Sequence, residues 1–407
     1  MQQARAAFLY PNFRYFLTAR FLITGSTEMQ ATAVAWQVYA LTHRPLDLGL
    51  VGLAQFLPGI FLFLLAGHIA DRVARQRILQ ICAGGFCLCS LLLLSLTVHG
   101  LRTVWPIYAA LLLNGAVRAF NMPTGQAFLP LLVAEEHFPN AVAWTASVLQ
   151  AAMVLGPVAG GLFYGAAASP VPVYACAAMC SLTGLALISK IRVRAAGRPR
   201  PLASLGAVLE GLRYIGREKL ILGAISLDLF AVLLGGAVAL LPVYAREILN
   251  VGPKGLGILR GAPSVGAVAM AVVVAHWPLR RRAGATMLAC VFGFGCFTIV
   301  FGLSRSLPLS LAALVLLGAC DMVSIIIRHT VIQLGTPDEM RGRVSAVNMV
   351  FIGASNEVGQ FESGVTAQWF GTVPAVVLGG AGAIAIVAAW AWLFPELRRV
   401  NELPGSG

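Results

Sequence analysis

Long apolar runs alternate along this chain with short polar stretches. They can be drawn at about 15–41, 48–70, 78–98, 104–128, 142–166, 172–190, 219–245, 254–276, 285–304, 308–334, 344–366 and 372–394. Most reach the roughly 20 residues that a helix needs to cross a bilayer core. Open strands are excluded, because lipid offers their backbone groups no hydrogen-bond partner. The pattern therefore predicts an all-α polytopic membrane protein with twelve transmembrane helices.

The polar stretches sort by side. Arg5, Arg14, Arg72, Arg75, Arg77, the eight cations from Lys190 to Lys219, Arg280 to Arg282, Arg341, Arg343, Arg398 and Arg399 fall on one face of the predicted membrane. The other face receives only Arg44, Arg102, Arg246, Lys254 and Arg305. By the positive-inside rule the rich face is cytoplasmic, which places both termini inside the cell. Residues 1–190 then form an N-terminal six-helix bundle and 218–395 a C-terminal one. Residues 191–217 join them as a cytoplasmic linker, and 396–407 form a cytoplasmic tail. Within the linker Leu205, Val208, Leu209, Leu212 and Ile215 recur at helical spacing, as in an amphipathic helix lying on the inner membrane surface.

Composition agrees: 58% of the 407 residues are hydrophobic and only 11% are charged, where a soluble domain carries about 25%. The net charge of +13 is mostly topology and attraction to anionic headgroups, so no nucleic-acid partner is implied. No signal peptide is expected, since Met1–Phe13 lacks an apolar core. The eight cysteines lie inside apolar runs as packing residues, and the six histidines are scattered. No metal site, cofactor or phosphate loop is expected, so direct ATP drive is not indicated.

The halves echo one another. Val38-Tyr39-Ala40 returns as Val243-Tyr244-Ala245, and Leu48-Gly49-Leu50-Val51 as Leu256-Gly257-Ile258-Leu259. Such a repeat implies two pseudo-symmetric bundles with a substrate site at midplane.

Ionisable residues inside spans are costly, which makes each one a functional candidate. They are Arg20, Glu28, Arg118, Asp228, Arg260, Asp321, Arg328, Glu357 and Glu362. Glu28 in span 1 and Asp228 in span 7 are the leading proton or cationic-substrate sites, because a poorly hydrated carboxylate is poised to load and release protons. Their alternative is a structural hydrogen bond, or a salt bridge to Arg118 or Arg20. Asp321 and Arg328 stand two turns apart on one face of span 10, too far for a direct pair but able to share partners across the bundle. Structural pairing is the expected role of both. Glu357 is the expected cavity-lining residue of the polar span 11, since Glu362 lies about 140° around the helix from it.

Three motifs carry a resemblance. Gly67, Asp71, Arg72 and Arg75 match the G-x-x-x-D-R-x-G-R-R loop between helices 2 and 3 of the major facilitator superfamily, from which Ala74 and Gln76 depart. Gly156, Pro157, Gly160 and Gly161 are similar to the G-P-x-x-G-G signature of its antiporters, and Arg118 resembles an arginine its exporters carry in span 4. Within the superfamily, RAFNMPTGQAFLPLLV, TPDEMRGRVSAVN and SNEVGQFESGVTA look like the branch that contains the enterobactin exporter and macrolide-exporter-like members. The resemblance implies a secondary active transporter, not an enzyme. It would act as a proton-coupled antiporter in a bacterial inner membrane, exporting a small amphiphilic molecule such as a siderophore or drug by alternating access. A monomer is expected. Arg118 would couple protonation to transport. Asp71 would latch the outward-facing state by accepting amide bonds near Val344 to Ala346. A proton-coupled importer or a lipid flippase of the same fold is the alternative.

Overall fold

The structure is a computed structural model that describes residues 3–192, 205–277 and 282–399, with the backbone alone at 3–5, 63–72, 205, 207, 208 and 399. Among the described residues every regular element is a helix. In order these are α1 (Pro11–Thr42), α2 (Pro45–Arg72), α3 (Arg75–Val98), α4 (Trp105–Phe128), α5 (Phe138–Ala167), α6 (Val171–Lys190), α7 (Leu205–Arg217) and α8 (Lys219–Leu234). There follow α9 (Leu241–Val243), α10 (Gly252–His276), α11 (Ala283–Leu303), α12 (Leu307–Gly335), α13 (Asp338–Phe370), α14 (Thr372–Leu393) and α15 (Pro395–Arg399).

Among the described residues nine segments are long and apolar enough to cross a membrane. The helices α1, α4 and α13 are of comparable length, at 32, 24 and 33 residues, but fall outside that set. Their polarity has a location: they carry Glu28, Arg118, Glu357 and Glu362. A polar group in a spanning helix is tolerated where it faces protein or a wet cavity, so these three helices are where function is to be sought.

The run 219–245, expected as one helix, is broken. It stops at Leu234, passes Gly235-Gly236, and resumes as a 3₁₀ turn over Ala237–Leu240, then α9, then a π turn over Tyr244–Ile248. The break is a close approach. A Cβ on Gly236 would lie 2.7 Å from Ser363 Oγ and 2.8 Å from the Gly359 carbonyl of α13, so any larger residue would push α13 away.

Compactness divides the chain into two units. The first holds 1–42, 54–204 and 252–261, and the second 43–53, 205–251 and 262–407. In the first, Phe13, Phe16, Leu79, Phe86 and Phe128 build the apolar core. Buried amides stitch its helices together. Tyr174 Oη donates to Gln37 Oε1 at 2.6 Å, and Gln37 Nε2 donates to Thr97 Oγ1 at 3.1 Å. Ser90 Oγ donates to Gln30 Oε1 at 2.7 Å, and Ser26 and Ser181 hydroxyls meet at 3.1 Å. Each bond ties α1 to α3 or α6, which fixes the rotation of α1.

In the second unit Leu227, Met287, Val291 and Ile327 form one core, and Ile215, Ile221, Ile332, Val344 and Val347 another. The expected amphipathic helix is α7, but its apolar face is divided. Ile215 is buried against α8 and α13, whereas Leu209 and Leu212 stay exposed. Gly211 permits this docking, since a Cβ there would stand 2.9 Å from the Arg343 carbonyl. Glu210 pairs with Arg343 across the same contact.

Candidate functional sites in the two units

In the first unit the side of α1 opposite its amide network carries Glu28. Ser26 and Gln30 lie two residues to either side, about 200° around the helix, and bond to α6 and α3. Glu28 therefore points at α5, where its Cβ would sit 2.6 Å from a Cβ on Gly156. The carboxylate is half-buried, and no hydrogen bond or ion pair to it is found among the described residues. In particular, no ion pair to Arg118 or Arg20 is found there.

The glycines of the α5 signature serve two neighbours. A Cβ on Gly160 would meet the Met29 carbonyl of α1 at 2.7 Å, and one on Gly161 the Pro253 carbonyl of α10 at 2.5 Å. Pro157 removes an internal donor, and its carbonyl is the nearest atom to a Cβ placed on Gly257. The signature is thus a two-sided packing surface beside the Glu28 carboxylate. Arg118 is exposed on α4. Two turns nearer the C-terminal end of α4, the Arg20 guanidinium covers Gly125, where a Cβ would lie 2.8 Å from Nη1.

The side chains of Gly67, Asp71 and Arg72 lie outside the described set, and the latch with them. Arg75 and the departing Gln76 are described. Arg75 Nη1 donates to the Ala127 carbonyl at 2.7 Å, near the end of α4. Gln76 Nε2 donates to the carbonyls of Ile188 at 2.9 Å and Ile191 at 2.7 Å, at the end of α6. Both satisfy carbonyls that a helix terminus leaves free. A cation suits the negative end of the α4 dipole.

In the second unit Asp228 of α8 and Arg328 of α12 form an ion pair. The aspartate is 8% exposed and the arginine 2%. The shared partner expected for Arg328 is therefore a carboxylate already in the candidate set, and sequence reasoning had not joined the two. Asp228 also lines a small pocket, together with Ala231, Val232, Val291, Phe294, Asp321 and Ser324. Asp321 thus shares that pocket with Asp228. Glu357 is buried on α13, and its Oε2 accepts from Gln360 Nε2 at 3.1 Å. Glu362 is less buried and accepts from Thr366 Oγ1 at 2.7 Å.

Residues 3–404 match the family described as transmembrane secretion effector. The enterobactin exporter EntS of Shigella boydii serotype 4 (strain Sb227) is 26% identical over 403 residues, 97% of this chain and 94% of that one. EntS of Escherichia coli O1:K1 has the same identity and coverage. Among solved structures, a POT family transporter in complex with 5-aminolevulinic acid superposes with a TM-score of 0.77 at 10% identity, covering 96% of this chain and 97% of that one. A bacterial homologue of the human lysosomal transporter Spinster, inward-facing and occupied, gives 0.74 at 13% identity over 94% and 97%. With a family match over nearly its whole length and charged residues held inside its helices, the chain belongs to the transmembrane secretion effector family of the major facilitator superfamily, a family of membrane transporters and not of enzymes.

Proposed function

We propose that this protein is a proton-coupled antiporter that exports a small amphiphilic molecule, of siderophore or drug type, across a bacterial inner membrane. The observation that carries the reading is the placement of its carboxylates. In a chain alike to enterobactin exporters over 97% of its length, Glu28 sits against the α5 signature glycines and Asp228 is buried beside an arginine. A membrane-embedded acid is costly unless it has a partner or a proton to exchange. Glu28 and Asp228 carry the protons or bind a cationic group of the substrate. Arg118 couples the two events, Glu357 lines the path, and the loop of Asp71 gates it. Two six-helix bundles joined by the 191–217 linker, acting as a monomer with both termini cytoplasmic, alternate the access.

The test is transport in vesicles with an imposed pH gradient. Catecholate siderophores, macrolides and lipophilic cationic dyes are offered to the wild type and to Glu28→Gln. Uphill movement of one class by the wild type alone supports the reading. Equal transport by Glu28→Gln removes Glu28 from it. Equilibration of lipid analogues without a proton gradient replaces export with flippase activity, and uptake driven by inward proton flow replaces it with import.

A further inference from the structure

Two hydrogen-bond donors in the first unit lack partners among the described residues. Arg20 of α1 is half-buried, and its buried Nε is unpaired. Thr124 of α4 is 1% exposed, and its buried Oγ1 is unpaired as well. A threonine hydroxyl inside a helix can bond the carbonyl one turn back, as Thr32, Thr97, Thr145 and Thr183 do here. Thr124 does not. No hydrogen bond or ion pair to the Arg20 guanidinium is found among the described residues either.

Register brings the two side chains together. Phe16 of α1 packs on Phe128 of α4 with ring centroids 5.7 Å apart. One turn further along α1 is Arg20, and one turn back along α4 are Thr124 and Gly125. Thr124 lies about 40° around the helix from Phe128, on the face turned to α1. The Arg20 guanidinium fixes the level, since its Nη1 would stand 2.8 Å from a Cβ on Gly125. Glycine there leaves room for the guanidinium beside the threonine. Another turn along each helix, Thr24 and Asn121 are half-buried and bring neutral polar groups to the same seam.

No acid on the packed helices answers this arginine. The sequences of α3, α4, α5 and α6 contain no carboxylate, and α3 and α4 add the cations Arg75, Arg77 and Arg118. Arg75 is bonded to the Ala127 carbonyl. On α1 itself the one acid is Glu28, about 12 Å further along the axis. Glu135 and Glu136 follow α4 on an exposed turn, and the side chain of Asp71 lies outside the described set. A desolvated cation with unfilled donors is costly until an anion reaches it.

We propose that Arg20 and Thr124 form a binding site for an anionic oxygen group, a carboxylate or an ionised phenol, carried by the exported amphiphile. The guanidinium presents its planar fork to two oxygens, and the Thr124 hydroxyl donates to one of them. Thr24 and Asn121 serve the polar part of the molecule next to that group. The anion and the Glu28 carboxyl then occupy separate levels of α1. This deepens the export reading above, on which it rests, by naming the charge class of the substrate.

The experiment is calorimetric titration of the full chain in dodecyl maltoside with 2-naphthoate, beside its neutral analogue 2-naphthamide and its cationic analogue 2-naphthylmethylammonium. The wild type is expected to bind naphthoate at least about tenfold more tightly than either analogue. Arg20→Met abolishes that preference, and Arg20→Lys keeps part of it, because a point charge lacks the fork. Thr124→Val weakens naphthoate about fivefold and leaves the analogues unchanged. Without ligand, Arg20→Met unfolds at or above the wild-type Tm, since it removes a charge that no group of the chain holds. An Arg20→Met chain that is clearly less stable, or does not fold, means that Asp71 or another acid holds the arginine, and overturns the proposal. So does a naphthoate preference that is absent from the wild type or survives in Arg20→Met, and so does an unchanged naphthoate affinity in Thr124→Val. Phosphatidylglycerol tests the other source of an anionic oxygen: stabilisation by this lipid that depends on Arg20, without a naphthoate preference, assigns the site to a headgroup and overturns the substrate class. Vesicles without proton-driven export while the naphthoate preference stands would sink the antiport reading and leave this site. Export without that preference would do the reverse.

Discussion

Gly161 of α5 and Gly257 of α10 touch backbone to backbone. A Cβ on Gly161 would stand 2.8 Å from Gly257 Cα, and one on Gly257 would stand 3.0 Å from Gly161 Cα. The second unit holds the same relationship, where a Cβ on Gly364 of α13 would be 2.9 Å from Gly49 Cα of α2. Gly49 and Gly257 are the matching glycines of the repeated Leu-Gly-x-x tetrapeptide, so each half places its tetrapeptide glycine at a helix crossing. Small residues are what membrane helices use to approach this closely. Gly161→Ala is therefore expected to overpack the crossing at a cost of about 1–3 kcal/mol, read as a lower Tm. Gly165→Ala is the control, since its Cβ would meet only the flexible, exposed Lys254 side chain. It should stay within about 0.5 kcal/mol of wild type.

The Asp228–Arg328 pair predicts an asymmetry. Arg328→Gln leaves Asp228 without its cation inside the bundle, and removing one partner of a buried pair costs about 3–5 kcal/mol. Adding Asp228→Asn to that variant removes the stranded acid and should recover much of the loss. Unfolding of the wild type, the single variant and the double variant in one detergent checks this. Equal Tm values for Arg328→Gln and wild type would mean that the pair contributes nothing to the fold.

Local chemistry decided what could be read from the chain. Apolar length located the helices, and the repeated tetrapeptide pointed to two related halves without saying that its glycines stand at helix crossings. The break in span 7 escaped because Val232 to Leu241 stays apolar on both sides of Gly235-Gly236, and hydropathy does not register a backbone turn. The glycine pair was the available signal. The partner of Asp228 escaped for another reason: α8 and α12 meet only in three dimensions, and a charge inventory does not say which charges meet. Gln76 was passed over as a departure from a motif, although its amide serves two carbonyls at the end of α6.

The amide network of α1 predicts modest, separable losses. Tyr174→Phe deletes the hydroxyl that donates to Gln37 at 2.6 Å. Interhelical bonds in membrane bundles average about 0.6 kcal/mol and reach about 1.7, so a loss in that range is expected. Gln37→Leu strands the Tyr174 hydroxyl and removes the donor to Thr97 Oγ1, which keeps its own bond to the Leu93 carbonyl, and should cost more than Tyr174→Phe. If the double variant were no worse than Gln37→Leu alone, the tyrosine would act only through the glutamine, which a double-mutant cycle of Tm values resolves.

Gln76 gives the sharpest local test, because one side chain closes the end of α6. Its amide serves Ile188 and Ile191 together, and each net hydrogen bond contributes about 1 kcal/mol. Gln76→Ala is expected to fray the last turn of α6, increasing amide hydrogen exchange at residues 186–192 while exchange at the end of α4 stays as in wild type. Arg75→Ala should do the reverse, freeing the Ala127 carbonyl and leaving α6 protected. The two variants thus distinguish local capping from general loosening of the loop. Increased exchange at both helix ends in either variant would show that the loop acts as one cooperative piece.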